Sequence, residues 1–268
     1  MLETTANAID AAVRTPAFFF AFAAMVLWEA AAPRRLTVRE TIRARWQVNI
    51  ALFLLNAILL NLALPGLAVA TAAVAVERRI GLFAWLDAPY WLAFVSTVLV
   101  LDLVRYVSHR LMHQVPLLWR LHRSHHSDPE YDVTTGFRFH PAEALFVTVT
   151  GLAAILVLGG PVLAVLASEV WATVTSMFTH ANVRMPARLE SALRRVLVTP
   201  DLHRIHHSIR REEASSNFGN SFVLWDRLFR TLRAQPIDGH DGMTIGHPDY
   251  RTADRLRLRS LLADPLRA

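Results

Sequence analysis

Apolar runs and the polar stretches between them divide this chain before any motif is considered. A first apolar run covers residues 16–32 and is closed by Pro33 and by a loop carrying Arg34, Arg35, Arg39, Arg43 and Arg45. A second covers 48–76, is interrupted at Pro65-Gly66, and reads as one kinked helix. The third covers about 90–107 and passes without a break into Ser108-His109-Arg110-Leu111-Met112-His113. A fourth block, 144–178, is too long for one crossing and holds the breaker Gly159-Gly160-Pro161, so it predicts a tight helical hairpin. Since a membrane helix needs about 20 apolar residues, the pattern predicts an all-α integral membrane bundle of about four spans, a single domain over 1–268. Beyond 234, Pro236, Gly239, Gly242, Pro248 and Pro265 predict an irregular C-terminal segment, with a short amphipathic helix over 252–262 that lies on the membrane.

Composition sharpens this reading. Of 268 residues 53% are apolar and 19% charged, with no cysteine, and mean hydropathy is +0.31. These values exclude a disordered chain, a disulfide-stapled domain and a cysteine-ligated metal module. The formal charge is +6, and with no lysine present all 28 basic residues are arginine. They are spread through every polar stretch rather than gathered into a stripe, which argues against nucleic acid as a partner. With the chain start and the Arg78-Arg79 loop outside, only three arginines lie outside and twenty-five inside. The positive-inside rule then orients the bundle with its polar segments in the cytoplasm. A cleaved leader is disfavoured by Glu3, Asp10 and a lone Arg14 ahead of the first run. The alanine- and arginine-rich, lysine-free composition suggests a bacterial chain of the inner membrane.

The histidines are clustered. His109 and His113 form HxxxH, His122, His125 and His126 form HxxHH, and His203, His206 and His207 form a second HxxHH. On a helix turning 100° per residue, His109 and His113 share a face, and each HxxHH presents two imidazoles on one face with a third beside them. Eight unligated imidazoles would need many buried partners if neutral and would repel one another if charged. Metal resolves both difficulties, and eight neutral nitrogens supply about four for each of two ions, leaving room for water or dioxygen. All three boxes fall on the arginine-rich side, so the expected dinuclear site lies in a helical cap beneath the cytoplasmic headgroups, open to a lipid still in the bilayer. The carboxylates expected to orient imidazoles are Asp102, two helical turns before His109, and then Asp128, Glu143 and Asp201. Asn182, Asn217, Asn220 and Asp226 read as turn residues of the cap, and Trp28, Trp46, Trp91 and Trp119 as interfacial anchors.

The segments LDLVRYVSHRLMH, LWRLHRSHHSD, FRFHPAE, FTHAN, HRIHHS and NFGNSFVLWDRLF, within 101–231, resemble the fatty acid hydroxylase and sterol desaturase superfamily of histidine-box di-iron oxygenases. The resemblance implies an oxygen-dependent hydroxylase or desaturase of a lipid or sterol-like C–H bond, with electrons from NAD(P)H delivered by a separate redox protein. It implies that the eight boxed histidines are ligands, that His180 in FTHAN is a further one, and that His140 in FRFHPAE supports the site from behind the ligands. Arg230 departs from the family pattern, which usually has glycine after WDRLF, and this touches a turn. An unactivated C–H bond offers no acidic proton and no polarised carbonyl for acid–base or nucleophilic catalysis. A redox metal is needed, so two iron ions are expected, with zinc only as a purification substitute. No GxGxxG fingerprint, P-loop, flavin or cytochrome segment is present, in keeping with a separate electron donor. Two rivals remain: a membrane metal carrier, which expects ligands at mid-span, and a zinc hydrolase, which expects a glutamate within the boxes.

Overall fold

A computed structural model describes residues 2–37, 39–63 and 67–267, and among these the chain is helical, with three isolated bridges and no strand. The helices are α1 (Leu2–Ala31), α2 (Arg39–Ala63), α3 (Leu67–Glu77), the short α4 (Leu82–Trp85), α5 (Tyr90–Gln114), α6 (Pro116–His126), α7 (Pro141–Leu158) and α8 (Val162–His180). Shorter pieces build the cap: α9 (Ala187–Leu193), α10 (Pro200–His206), α11 (Arg211–Ala214), α12 (Leu224–Leu228), α13 (Gly239–Gly242) and α14 (Leu258–Leu262). Among the described residues four helices are long and apolar enough to cross a membrane: Ala8–Ala31 within α1, then α5, α7 and α8. This is an all-α integral membrane bundle.

Two boundaries differ from the sequence reading. The first helix starts well before the apolar run and contains Pro16; alanines favour helix there, and Asp10 pairs with Arg14 one turn on at 3.2 Å. The run 48–76 is divided between α2 and α3, and the expected break at Pro65-Gly66 lies outside the described residues. At about 1.5 Å per residue α3 alone is too short to span, and α2 carries Arg45 and Asn49 buried in its face.

Proline sets the geometry of the helices around the histidines. Pro116, Pro141 and Pro200 each occupy the first turn of α6, α7 and α10, where the missing N–H costs nothing and the fixed φ favours helix. Thr199 caps α10, its hydroxyl accepting from Leu202 N, and His140 caps α7, its Nδ1 accepting from Ala142 N. At the opposite end of the bundle the α7–α8 hairpin turns at Gly159, with φ +62°. That turn presses on the loop before α4, where a Cβ on Gly159 would stand 2.0 Å from the Ile80 carbonyl oxygen, so only glycine fits.

The apolar core joins α3, α5, α7 and α8 through Ala72, Leu101, Ile155 and Val165. Beside it, Phe18 and Phe22 of α1 pack on Phe53, Phe137 and Met177. The α1 span is peripheral, with 6% of it buried against 33% and 39% for α5 and α8. The C-terminal segment does not lie free on a membrane surface. Its helix is confined to Leu258–Leu262, with Leu261 and Tyr250 buried against Leu52 of α2 and Asp264 paired with Arg123 of α6.

Candidate metal centre

The C-terminal ends of α5 and α8 meet α6 and α10 at one end of the bundle and bring nine imidazoles together in two groups. His109, His113, His122, His126 and His206 form the first, and His125, His180, His203 and His207 the second; within each, the candidate donor atoms lie within 4.8 Å of one another. The helical phase explains the division. In α6 His122 and His126 share a face and enter the first group while His125 turns to the second; His203 of α10 and His207, which caps its end, enter the second while His206 turns to the first. Each HxxHH therefore straddles both groups, and His180, from FTHAN, completes the second.

Burial and hydrogen bonds together fix the protonation of the imidazoles. Burial, reinforced by the neighbouring imidazoles, holds His122, His125, His126, His203 and His207 well below the ordinary imidazole pKa, and burial does the same for His206. These rings are neutral at physiological pH. His109, His180 and His206 donate Nδ1–H to the carbonyls of Phe218 (2.9 Å), Ser176 (2.8 Å) and Ser216 (2.7 Å), and His122 donates Nδ1–H to Glu143 at 2.5 Å. Their Nε2 atoms are then bare lone pairs. His109 Nε2 nonetheless faces His122 Nε2 at 3.1 Å, with no proton between them. Both His125 Nε2 (3.3 Å) and His203 Nε2 (3.2 Å) converge on the single lone pair of His180 Nε2. The Nε2 atoms of His113, His206 and His207 are buried with no hydrogen-bond partner. Converging unprotonated nitrogens in a water-poor site repel unless a cation lies among them, so both groups fit a metal ion by the chemistry of their donors.

The surrounding carboxylates are arranged differently from the expectation. Glu143, fully buried in the first turn of α7, is the acid that touches a boxed imidazole, and its Oε2 has no partner. Asp102 does not orient an imidazole: its Oδ2 accepts from Trp225 Nε1 at 2.9 Å and from Phe222 N at 3.3 Å. It shares a face of α5 with His109, but the 218–225 loop comes between, and Asp102 anchors that loop, which also carries the Phe218 carbonyl. His140 is likewise outside the two groups, held between Ala142 N and, through Nε2, the Leu262 carbonyl. Asp201 pairs with Arg204 at 2.6 Å. Asp128 accepts from Arg45 and Asn49; burial alone would raise its pKa, yet Arg45 and Arg138 hold it well below the carboxylate range. With Asp132 and Thr135 this network ties α2 to the 127–138 loop.

Asn217 and Asp226 act in turns, as expected: Asn217 Nδ2 donates to the carbonyls of Leu202 and Arg233, and Asp226 accepts from Phe218 N and Gly219 N. Trp119 departs from the anchor reading, since its ring packs on His113 with centroids 5.0 Å apart and on His126 at 5.5 Å. Phe139, within the FRFHPAE segment, stacks on His125 at 4.7 Å, and Tyr131, outside every motif, donates its hydroxyl to the Thr179 carbonyl.

A cavity of about 950 Å³ begins at His109, His122, His125, His180 and His203 and runs between the helices, past the aromatic wall of Phe18, Phe22, Phe53 and Phe137. Its lining joins the histidines to the apolar interior of the spans, with Met177 and Val147 along the way.

Comparison with known proteins bears on this geometry. The sequence profile of the family described as fatty acid hydroxylase matches residues 94–231, a stretch holding all nine histidines. The ornithine lipid hydroxylase of Rhizobium tropici is 35% identical over 131 residues, 49% of this chain and 39% of that protein. Human alkylglycerol monooxygenase is 27% identical over 173 residues, 60% of this chain and 34% of that protein. Sphinganine C4-monooxygenase 1 of Arabidopsis thaliana is 29% identical over 148 residues, 54% of this chain and 55% of that protein. The chain thus spans about a third to a half of the length of these relatives. No solved structure matches it significantly.

Proposed function

The chain belongs to the fatty acid hydroxylase family, and from that premise we propose that it hydroxylates a C–H bond of a membrane lipid, using a pair of iron ions held by the nine histidines. The single observation that carries this is the pairing of two histidine groups of five and four with a cavity that starts on them and leads into the membrane-spanning helices. The relatives named above act on ornithine lipid, alkylglycerol and sphinganine, all amphiphiles, which favours a bilayer lipid over a soluble substrate and hydroxylation over desaturation. The first group would be His109, His113, His122, His126 and His206, and the second His125, His180, His203 and His207.

Hydroxylation consumes the lipid C–H, one dioxygen, two electrons and two protons, and yields the alcohol and one water. The iron pair supplies the redox change that side chains lack. The chain's own residues do the rest. The carbonyls of Phe218, Ser176 and Ser216 fix three imidazole tautomers, and Glu143 fixes the fourth at His122. The aromatic wall orients an acyl chain and keeps water away from the reacting carbon. We place the histidine end on the cytoplasmic side of a bacterial inner membrane, with the electrons coming from NAD(P)H through a separate protein.

The boxes lie at helix ends, against a carrier with mid-span ligands, and no glutamate stands within them, against a zinc hydrolase. Iron content of the purified protein, with dioxygen uptake on adding reductant and lipid, tests the reading. Bound iron with lipid-dependent uptake supports it; a protein that binds only zinc and consumes no dioxygen overturns it. Lipid profiles of a strain lacking the gene identify the substrate.

A further inference from the structure

Seven of the nine histidines are buried and His109 and His113 are half-buried, so protein contacts offer electrons a route to them. Four aromatic rings outside the boxes pack on them. Phe218 and Tyr131 are buried, and Phe139 lines the lipid cavity. Trp119 does neither. It lies half-exposed on α6 between the exposed Leu117 and Arg120, and its ring is 5.0 Å from His113, 5.5 Å from His126 and 6.2 Å from His122, all in the five-histidine group. On its other side His247 lies 5.8 Å away, itself packed on Tyr250 at 5.3 Å. No hydrogen bond from the indole N–H is formed among the described residues. The Trp119 ring thus packs against three imidazoles and also reaches the surface.

The surface charge around it has one sign in excess. Arg120 is exposed on the same helix and Arg251 lies exposed beside His247, with Asp249 as the exposed acid nearby; Arg123 is neutralised by Asp264. The cap to which His247 belongs, residues 184–267, holds fifteen arginines against ten carboxylates. Such a field attracts an acidic partner and speeds its encounter.

We propose that Trp119, backed by His247, is where electrons reach the histidine centre, and that the arginine-bearing surface around it docks a small acidic one-electron carrier. The inference rests on the reading of the site as an iron centre. Each encounter would oxidise the carrier by one electron, which passes through the indole contact and reduces by one electron the iron that the five-histidine group would hold, no proton being taken up by the tryptophan. Two encounters supply the two electrons that hydroxylation consumes.

The test uses the full chain in lipid nanodiscs with a plant-type [2Fe–2S] ferredoxin, an acidic one-electron donor, as probe. Binding to the metal-free protein is measured first. Arg120→Glu together with Arg251→Glu is expected to weaken it about tenfold, and added salt is expected to weaken wild-type binding. Iron reduction is then followed by stopped flow with reduced ferredoxin and, separately, with dithionite, which needs no docking surface. In Trp119→Leu the ratio of the ferredoxin to the dithionite rate is expected to fall about tenfold, with Trp119→Phe recovering part of it. Failure of ferredoxin to bind wild type, or an unchanged rate ratio in Trp119→Leu, overturns the proposal. So does an indole emission shift produced only by phosphatidylglycerol vesicles, which would mean that the surface rests on lipid. Iron that ferredoxin reduces at the same rate with and without Trp119 removes the conduit alone, whereas a wild-type protein with no reducible iron removes the functional reading beneath it.

Discussion

Glu143→Gln separates the charge of the buried carboxylate from its shape. Glu143 is fully buried and accepts Nδ1–H of His122 at 2.5 Å; ionised opposite a cation in the five-histidine group, it would make a charge-assisted bond worth about 1.5–3 kcal/mol. Glutamine keeps an acceptor in the same place and removes the charge. An ionised carboxylate this deep costs several kcal/mol unless a countercharge is close, and the imidazoles around it are neutral; a cation in the five-histidine group is the natural counterpart. Losing such a partner behind a ligand typically weakens metal affinity by about 10- to 100-fold, or about 1.4–2.7 kcal/mol. The four-histidine group makes no contact with Glu143 and serves as the internal control. The assay is iron retention against a graded chelator: Glu143→Gln is expected to lose one of two iron equivalents at roughly tenfold lower chelator than wild type, while the second equivalent holds. Glu143→Ala, which also strands the His122 N–H, is expected to lose it earlier still. Two equivalents retained at wild-type affinity in both variants would refute the reasoning.

Alanine at His125 or His207 removes one of four nitrogens from the second group; iron and lipid hydroxylation are expected to be lost while membrane insertion stays intact, checked by metal analysis and extraction from membranes. Arg45 is 5% exposed and paired with Asp128 and Asp132 at 2.5 and 2.7 Å; Arg45→Met strands two buried carboxylates, and thermal unfolding is expected to report a loss of about 3–5 kcal/mol. Arg230 is exposed at φ +56°, a conformation that costs an ordinary residue about 1–2 kcal/mol; Arg230→Gly is expected to raise stability by about 0.5–1 kcal/mol after the entropy of glycine is counted, with turnover unchanged.

Much of the architecture was legible because it is written in local periods. Long apolar runs announce the spans, and the spacing of His122, His125 and His126 encodes how one helix serves two sites. What local periods do not carry is which distant segment arrives to cover a face. Asp102 has the right helical phase for His109, yet the loop carrying Phe222 and Trp225 takes its oxygen. Glu143 was no more conspicuous than Asp128 or Asp201 until the fold placed α7 behind α6. The carbonyls of Phe218, Ser176 and Ser216 have no side-chain signature at all. The same holds for the C-terminal segment, whose pattern suits a membrane surface as well as it suits the flank of α2 that it covers. The Arg230 turn was readable from a departure in one residue, since a position that favours glycine reports its backbone angle.

The uneven attachment of the spans bears on how a long lipid, the substrate proposed for this chain, would gain the cavity. Parting α5 or α8 from the bundle would pull His109, His113 or His180 away from their partners, dismantling the centre to admit its substrate. Parting α1 would break no contact between imidazoles: its Phe18 and Phe22 meet Phe53 and Phe137 through ring contacts of 5.1–5.7 Å, each worth about 0.5–1.5 kcal/mol, and nearer its end Glu29 accepts from Val133 N and Asn182 N at 2.7 Å. Of the four spans, the first is thus pinned at its Glu29 end and faced with aromatic rings at Phe18 and Phe22, and its displacement would leave both histidine groups assembled.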